Sequence, residues 1–239
     1  MARRPGAAET LNVEALNLFL DNFADWDSFV RIWPLLWQGL QLTVLLAVVT
    51  LPIAIAFGLA IAVAYSFHHK AVNVALLIWI DLFRSFPVLV LLILIFYGLP
   101  FLGLKLDGFS AAILALVLNN SGYYGEIFRA GIESVSPGQR EAARALGLHP
   151  LQIIFLVVLP QAIARVAAPL ASNSLELVKT TSIAALVALP ELLRSARVAQ
   201  EQTYNPTPLT AAAVIFFVLL FPFARWVARL ERDMLMRQR

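Results

Sequence analysis

From Gly39 to Ser66 the chain carries no Asp, Glu, Lys, Arg or His. At ~1.5 Å of rise per residue, roughly 20 apolar residues in a helix cross the ~30 Å hydrocarbon core of a bilayer, so this run is long enough to span one. Four more stretches share its character. One begins near Val74 and ends near Leu99, one covers about Phe109 to Phe128, one begins after His149, and one covers about Pro208 to Ala228. Lipid offers backbone groups no outside partner, and the ten-residue alternation of a barrel is absent, so all five spans are predicted to be helical. Composition agrees: 60% of the residues are hydrophobic and 14% charged, with a mean hydropathy of +0.79, far from a soluble domain. The expected fold class is an all-α integral membrane protein with five transmembrane helices.

The chain of 239 residues divides into an N-terminal segment, 1–34, and a membrane domain, 35–239. Arg3-Arg4 is followed by Glu9, Glu14, Asp21, Asp25 and Asp27 rather than by an apolar core, so the start does not read as a secretory signal. Apolar residues between Leu16 and Phe29 interleave with those acids and predict an amphipathic stretch at the membrane interface, with Met1 to Thr10 a disordered tail. Lys70, then Arg129, Arg140 and Arg144, then Arg225, Arg229, Arg232, Arg237 and Arg239 fall on one side of the spans. The positive-inside rule makes that side cytoplasmic, which puts the N-terminus outside and the C-terminus inside. The net charge of +3 is small and forms no stripe, so nucleic acid is not an expected partner. The chain has no cysteine, which excludes disulfides and thiol chemistry. His68, His69 and His149 have no acid at metal-ligand spacing, so no metal site is expected. Gly98 and Gly103 have P-loop spacing, but Leu104 follows where a lysine is required, so the chain has no nucleotide site of its own.

Two spans carry polar groups that lipid would not accept. The fourth contains Pro160 and Pro169, with Pro190 at its far end, and between these prolines carries Arg165, Asn173, Ser174, Glu176, Lys179, Thr180, Thr181 and Ser182, so it is expected to be broken. Those groups either line a solute path near the bilayer midplane or form an elbow in which Glu176 pairs with Lys179. The third span ends in Asn119-Asn120-Ser121-Gly122-Tyr123-Tyr124-Gly125-Glu126. Glu126 there either serves the path or pairs with Arg129, and Arg84 either meets a solute carboxylate or pairs with Asp81.

Between the third and fourth spans, Ser136 to Gly147 reads as a short helix with both ends marked. Ser136 is placed to cap it, Pro137 takes the first helical position, Gln139 completes a capping box, and Gly147 ends it in the left-handed conformation. The helix is predicted over Pro137 to Leu146, with Gln139, Ala142, Ala143 and Leu146 on one face. Side chains that small suit insertion into a partner's groove, although a helix lying on the membrane surface would look the same.

Glu141-Ala142-Ala143, then Gly147, then Val157 and Leu159-Pro160 resemble the EAA loop of the membrane subunits of ATP-binding cassette importers. Gly138-Gln139, Leu159-Pro160-Gln161-Ala162, Lys179-Thr180-Thr181-Ser182 and Arg84-Ser85-Phe86-Pro87 narrow the resemblance to permeases for polar amino acids. Val157 replaces the usual isoleucine, Ser85-Phe86 the usual glycine and threonine, and Thr180 the usual aspartate. The resemblance implies a type I importer-like fold in the cell inner membrane, without an ATPase site. Its implied partners are a second permease chain, the same or homologous, two ATPase subunits that bind ATP and magnesium, an extracytoplasmic solute-binding protein and membrane lipid. Gln139, Glu141, Ala142, Ala143, Leu146 and Gly147 would form the coupling helix that docks on the ATPase. Arg84, Asn119, Ser121, Tyr123, Glu126, Lys179, Thr180 and Ser182 are the candidates for the substrate path. The alternative from the residues alone is an ion channel or secondary transporter not driven by ATP.

Overall fold

The computed structural model describes residues 22–67 and 69–237. The expected tail and the first part of the expected interfacial stretch, up to Asp21, therefore lie outside the described residues, as does His68. Helix α1 (Trp26–Tyr65) starts well before Gly39. Its start is set by Asp25, whose carboxylate accepts from the Asp27 amide at 3.0 Å and so satisfies one of the free donors of a helix N-terminus. Trp26, Phe29, Trp33 and Trp37 stack in a row along the first turns, with ring centroids 5.3, 5.5 and 6.0 Å apart. Exposed indoles of this kind suit the headgroup layer.

The second apolar stretch is two helices, α2 (Lys70–Ser85) and α3 (Val88–Ile93), with a bend of 97° where they meet. Phe86 is extended there (φ −83°, ψ 124°), because the ring of Pro87 bars the preceding residue from the helical region. A π-helical stretch, Leu94–Gly98, and a 3-10 turn, Leu99–Leu102, complete the span.

Helix α4 (Gly108–Ser134) is capped by Asp107, which accepts from the amides of Phe109 and Ser110 at 3.1 and 3.3 Å. It is held between α1, α2 and the later helix α7. Contact is at backbone distance: a Cβ on Gly58 of α1 would stand 2.4 Å from the Tyr124 Cβ, and one on Gly122 would stand 2.9 Å from the Ile80 carbonyl of α2. Small residues permit this approach, and substitution at either glycine would push the helices apart.

After the short helix α5 (Pro137–Ala145), α6 (Pro150–Gln152) leads through a π-helical stretch, Ile153–Val158, into α7 (Leu159–Thr180) and a closing 3-10 segment, Thr181–Val187. The expected break in this span is not a sharp one. Pro160 stands in the first positions of α7, directly after the π-helical stretch, where its missing N–H matters least, and Pro169 is accommodated within the helix. The sharp bend belongs to the second span instead.

The stretch from Glu191 to Glu201, between the fourth and fifth expected spans, is largely helix α8 (Leu192–Thr203), and α9 (Thr207–Arg237) ends the described chain. Glu191 caps α8 from a fully buried position. Its carboxylate accepts from the Leu193 and Arg194 amides at 3.0 and 2.7 Å, while Thr43 of α1 accepts from the Leu192 amide at 3.0 Å. Burial pushes the Glu191 carboxyl above its ordinary value, against the two amides that favour its ionised form.

Among the described residues, α1, the succession Pro150–Val187 and the stretch Thr207–Met234 are each long and apolar enough to cross a membrane, and the bent α2–α3 pair makes a fourth such unit. Helix α4 has the length but carries Asn119, Asn120 and Ser121 at its centre, all buried.

Candidate functional site

Three helices and a bend converge on one polar cleft. Arg84 ends α2, Asn119, Asn120 and Tyr123 come from α4, and Asn173, Glu176 and Thr180 come from α7; with the bend at Ser85–Pro87 they line a cavity of about 330 Å³. The bend forms part of the cleft wall. Extended backbone frees the carbonyls of Phe83 and Phe86, and Asn119 Nδ2 donates to both, at 2.8 and 3.0 Å. Both amide hydrogens are thereby used, which leaves Asn119 Oδ1 as an acceptor. Tyr123 Oη donates to the Arg84 carbonyl at 3.1 Å, and its ring lies beneath the Arg84 guanidinium, 5.7 Å from its centroid.

The α4–α7 wall is tied by amides and hydroxyls. Asn173 Nδ2 donates to Asn120 Oδ1 at 3.3 Å. Behind it, Tyr124 Oη and Ser174 Oγ are 2.9 Å apart. The Ser174 hydroxyl donates to the Leu170 carbonyl at 2.7 Å, so the phenol is the donor in the Tyr124–Ser174 bond. Glu176 is held by Lys179 one turn further on, and Thr180 Oγ1 donates to the Glu176 carbonyl at 2.8 Å.

Of the eight residues read from sequence as path candidates, Arg84, Asn119, Tyr123 and Thr180 meet in this cleft. Lys179 reaches it through Glu176. Ser121 is fully buried, accepting from Trp79 Nε1 at 3.0 Å and donating to the Leu118 carbonyl at 2.6 Å. Glu126 lies in a two-pronged pair with Arg129, at 2.7 and 2.9 Å, and Ser182 donates to the Lys179 carbonyl at 3.0 Å. No Asp81–Arg84 pair forms among the described residues. Asn120, Asn173 and Glu176, noted from sequence as polar groups of the third and fourth spans, were not among those eight. A signal for two of them was present, since Asn173, Glu176 and Thr180 recur at spacings of three and four, which puts them on one face of an otherwise apolar helix.

At the other end of α4 stands α5. Its stop is a Schellman motif: Gly147 adopts φ +78°, its amide bonds the Arg144 carbonyl at 2.9 Å, and the Leu148 amide bonds the Ala143 carbonyl at 3.2 Å. Its start departs from expectation, because Ser136 makes no side-chain cap bond. The Gln139 amide that the hydroxyl would have served goes to the Ser136 carbonyl, at 3.0 Å, so no capping box forms. Gln139, Glu141, Ala142 and Leu146 are exposed, Leu146 at 82%, whereas Ala143 is only 4% exposed and packs into this chain's own core. Arg140 donates to the Ile132 carbonyl at 3.2 Å. Burial, and then the neighbouring Arg144, hold its guanidinium below the ordinary value, though it stays charged. Glu133, Arg140, Glu141 and Arg144 border a second polar hollow, of about 350 Å³.

One apolar cluster joins the two places. Ala143 of α5, Ile132 and Tyr124 of α4, and Val166 and Leu177 of α7 belong to it, and Leu177 also lines the cleft.

Residues 54–236 match the family described as binding-protein-dependent transport system inner membrane component. The chain belongs to that family. Among its curated relatives is a probable glutamine ABC transporter permease protein, GlnP, of Bacillus subtilis, 32% identical over 200 residues, covering 82% of this chain and 92% of that protein. The arginine transport system permease protein ArtQ of the same organism is 32% identical over 203 residues, covering 82% and 90%. A solved structure described as an amino acid ABC transporter with histidines superposes with a TM-score of 0.78 at 34% identity, covering 88% of this chain and 99% of that one. Membership in the inner membrane component family makes this a membrane permease of ABC type, and sets aside the channel or secondary transporter not driven by ATP.

Proposed function

We propose that this permease is the membrane-spanning subunit of an ATP-driven importer of polar amino acids or closely related small solutes. It acts as half of a membrane dimer, beside a second permease chain, on two cytoplasmic ATPases and beneath an extracytoplasmic solute-binding protein. The chain crosses the cell inner membrane five times, with α4 as one crossing, its N-terminus outside and its C-terminus inside. ATP and magnesium are bound by the ATPases, and this chain supplies the solute path and the coupling helix.

The observation that carries this reading is the unbroken packing from α5 to the cleft, through Ala143, Tyr124 and Leu177. The exposed side of α5, with Gln139, Ala142 and Leu146, seats in the ATPase. Its buried side passes the movement on, because a close-packed core shifts as a body rather than deforming. ATP-driven closure of the ATPases then opens the α2–α4–α7 cleft alternately to the two sides. The test is purification of the permease with its native partners, followed by ATP hydrolysis with and without loaded solute-binding protein. Hydrolysis that rises on adding the loaded protein supports the assignment, and hydrolysis indifferent to it contradicts the coupling.

A further inference from the structure

Resting on that reading, we infer that the cleft selects its solute by charge: it takes amino acids whose side chains are neutral or acidic and rejects cationic ones. The relatives leave this open, since their names include both glutamine and arginine. The inference follows from which charges in the cleft are already matched.

Arg84 and Glu176 are the ionisable residues of Asp, Glu, Lys or Arg type that line the cleft. Glu176 is paired with Lys179, while Arg84 has no carboxylate partner among the described residues and rests on the Tyr123 ring. The nearby acid Glu126 is committed to Arg129. The cleft therefore presents one unmatched cation, whose planar fork of N–H donors fits a carboxylate with two bonds. The rest of the wall offers neutral partners of both kinds: as acceptors the Asn119 Oδ1 left over from its two backbone bonds and the Thr180 hydroxyl oxygen, and as a donor the second amide hydrogen of Asn173, whose first goes to Asn120. An α-carboxylate on Arg84 leaves an amide or hydroxyl side chain with partners of its own kind. A guanidinium or ammonium side chain would find the one carboxylate of the cleft, Glu176, already shared with Lys179, and would stand beside the like charge of Arg84.

Direct binding to the detergent-purified permease–ATPase complex, without the solute-binding protein's own filter, tests this. Radiolabelled L-glutamine or L-glutamate should bind at least ~10-fold more tightly than L-arginine or L-lysine. Thr180→Asp, which adds an acid to the wall, should narrow or invert that ratio, and Arg84→Gln should abolish binding of the neutral and acidic solutes. Arginine or lysine binding as tightly as glutamine to the unmodified complex overturns the charge rule, as does binding that survives Arg84→Gln, and no binding of any of the four overturns the cleft as a solute site. Uptake into proteoliposomes, measured in parallel, separates the two levels: ATP-driven uptake of cationic amino acids removes only the charge rule, whereas ATP-independent uptake removes the importer reading beneath it.

Discussion

The Tyr124 phenol donates to the Ser174 hydroxyl across 2.9 Å of buried space, and this bond fastens α4 to α7 directly behind the cleft. Ser174 keeps its own bond to the Leu170 carbonyl, so the pair is satisfied in both directions. Tyr124 also carries the apolar cluster that reaches α5. The relationship separates what the hydrogen bond contributes from what the ring contributes.

Tyr124→Phe removes the bond and keeps the packing. We predict a loss of about 1 kcal/mol, the net value of an ordinary hydrogen bond, with uptake kept. Tyr124→Ala empties the space against which Gly58 packs and should cost ~3–5 kcal/mol. Thermal unfolding in detergent reads both. Equal losses in the two variants would show that the ring adds nothing.

Glu126→Gln dissolves the two-pronged pair with Arg129, but Arg129 keeps Glu133 at 2.8 Å. The pair is partly exposed, with side chains 19% and 28% accessible, so the loss in stability should stay within about 1 kcal/mol. Glu126 does not line the cleft, and the apparent affinity for solute should be unchanged. A several-fold change in affinity in a normally folded variant would return Glu126 to the solute path.

Glu191 gives a pH-dependent signature. Its carboxyl is raised above the ordinary value of 4.5 by burial, so the folded protein holds this proton more tightly than the unfolded chain does. Its contribution to stability is then fully present below pH 4.5 and is lost as the pH rises through the raised folded value. Glu191→Gln should remove that part of the pH dependence of the unfolding temperature while keeping an acceptor for the α8 amides. A variant whose pH profile matches that of the unmodified protein would refute the assignment.

The parts of the fold legible in sequence are those fixed by local backbone chemistry. Gly147 ends α5 as read, because the left-handed stop needs only neighbours in sequence. Apolar runs located α1, the bent α2–α3 pair, the succession Pro150–Val187 and α9, because lipid imposes the length of such units. The bend was misplaced for a physical reason: Pro160 and Pro169 are visible breakers, but one stands where a helix tolerates proline and the other is absorbed within α7. Pro87 makes Phe86 extended by a local rule, but the freed carbonyls find Asn119, some thirty residues away in sequence, and that tertiary partner helps hold the 97° turn. The cleft was half legible for the same reason. Arg84, Asn119, Tyr123 and Thr180 stood out as polar groups in apolar spans, whereas Asn120 and Asn173 become meaningful only when α4 meets α7. Helix α8 was missed because its cap is a buried glutamate, an uncommon choice whose partner Thr43 lies on another helix.

Uptake by coupling-helix variants is the sharpest test of the proposal that the exposed face of α5 transmits ATPase movement to the solute cleft. Ala142→Glu adds bulk and an unpaired charge to the docking face, and Gly147→Val forces a β-branched residue into φ +78°. Neither residue belongs to a span's apolar face, so both proteins should insert normally. In proteoliposomes holding the permease, its ATPase and internal ATP, the unmodified chain should accumulate polar amino acid only when ATP and loaded solute-binding protein are both present. Both variants should lose that uptake, with the ATPase dissociated or hydrolysing ATP without regard to the binding protein. Normal uptake by both variants, independent of ATP, would contradict the account.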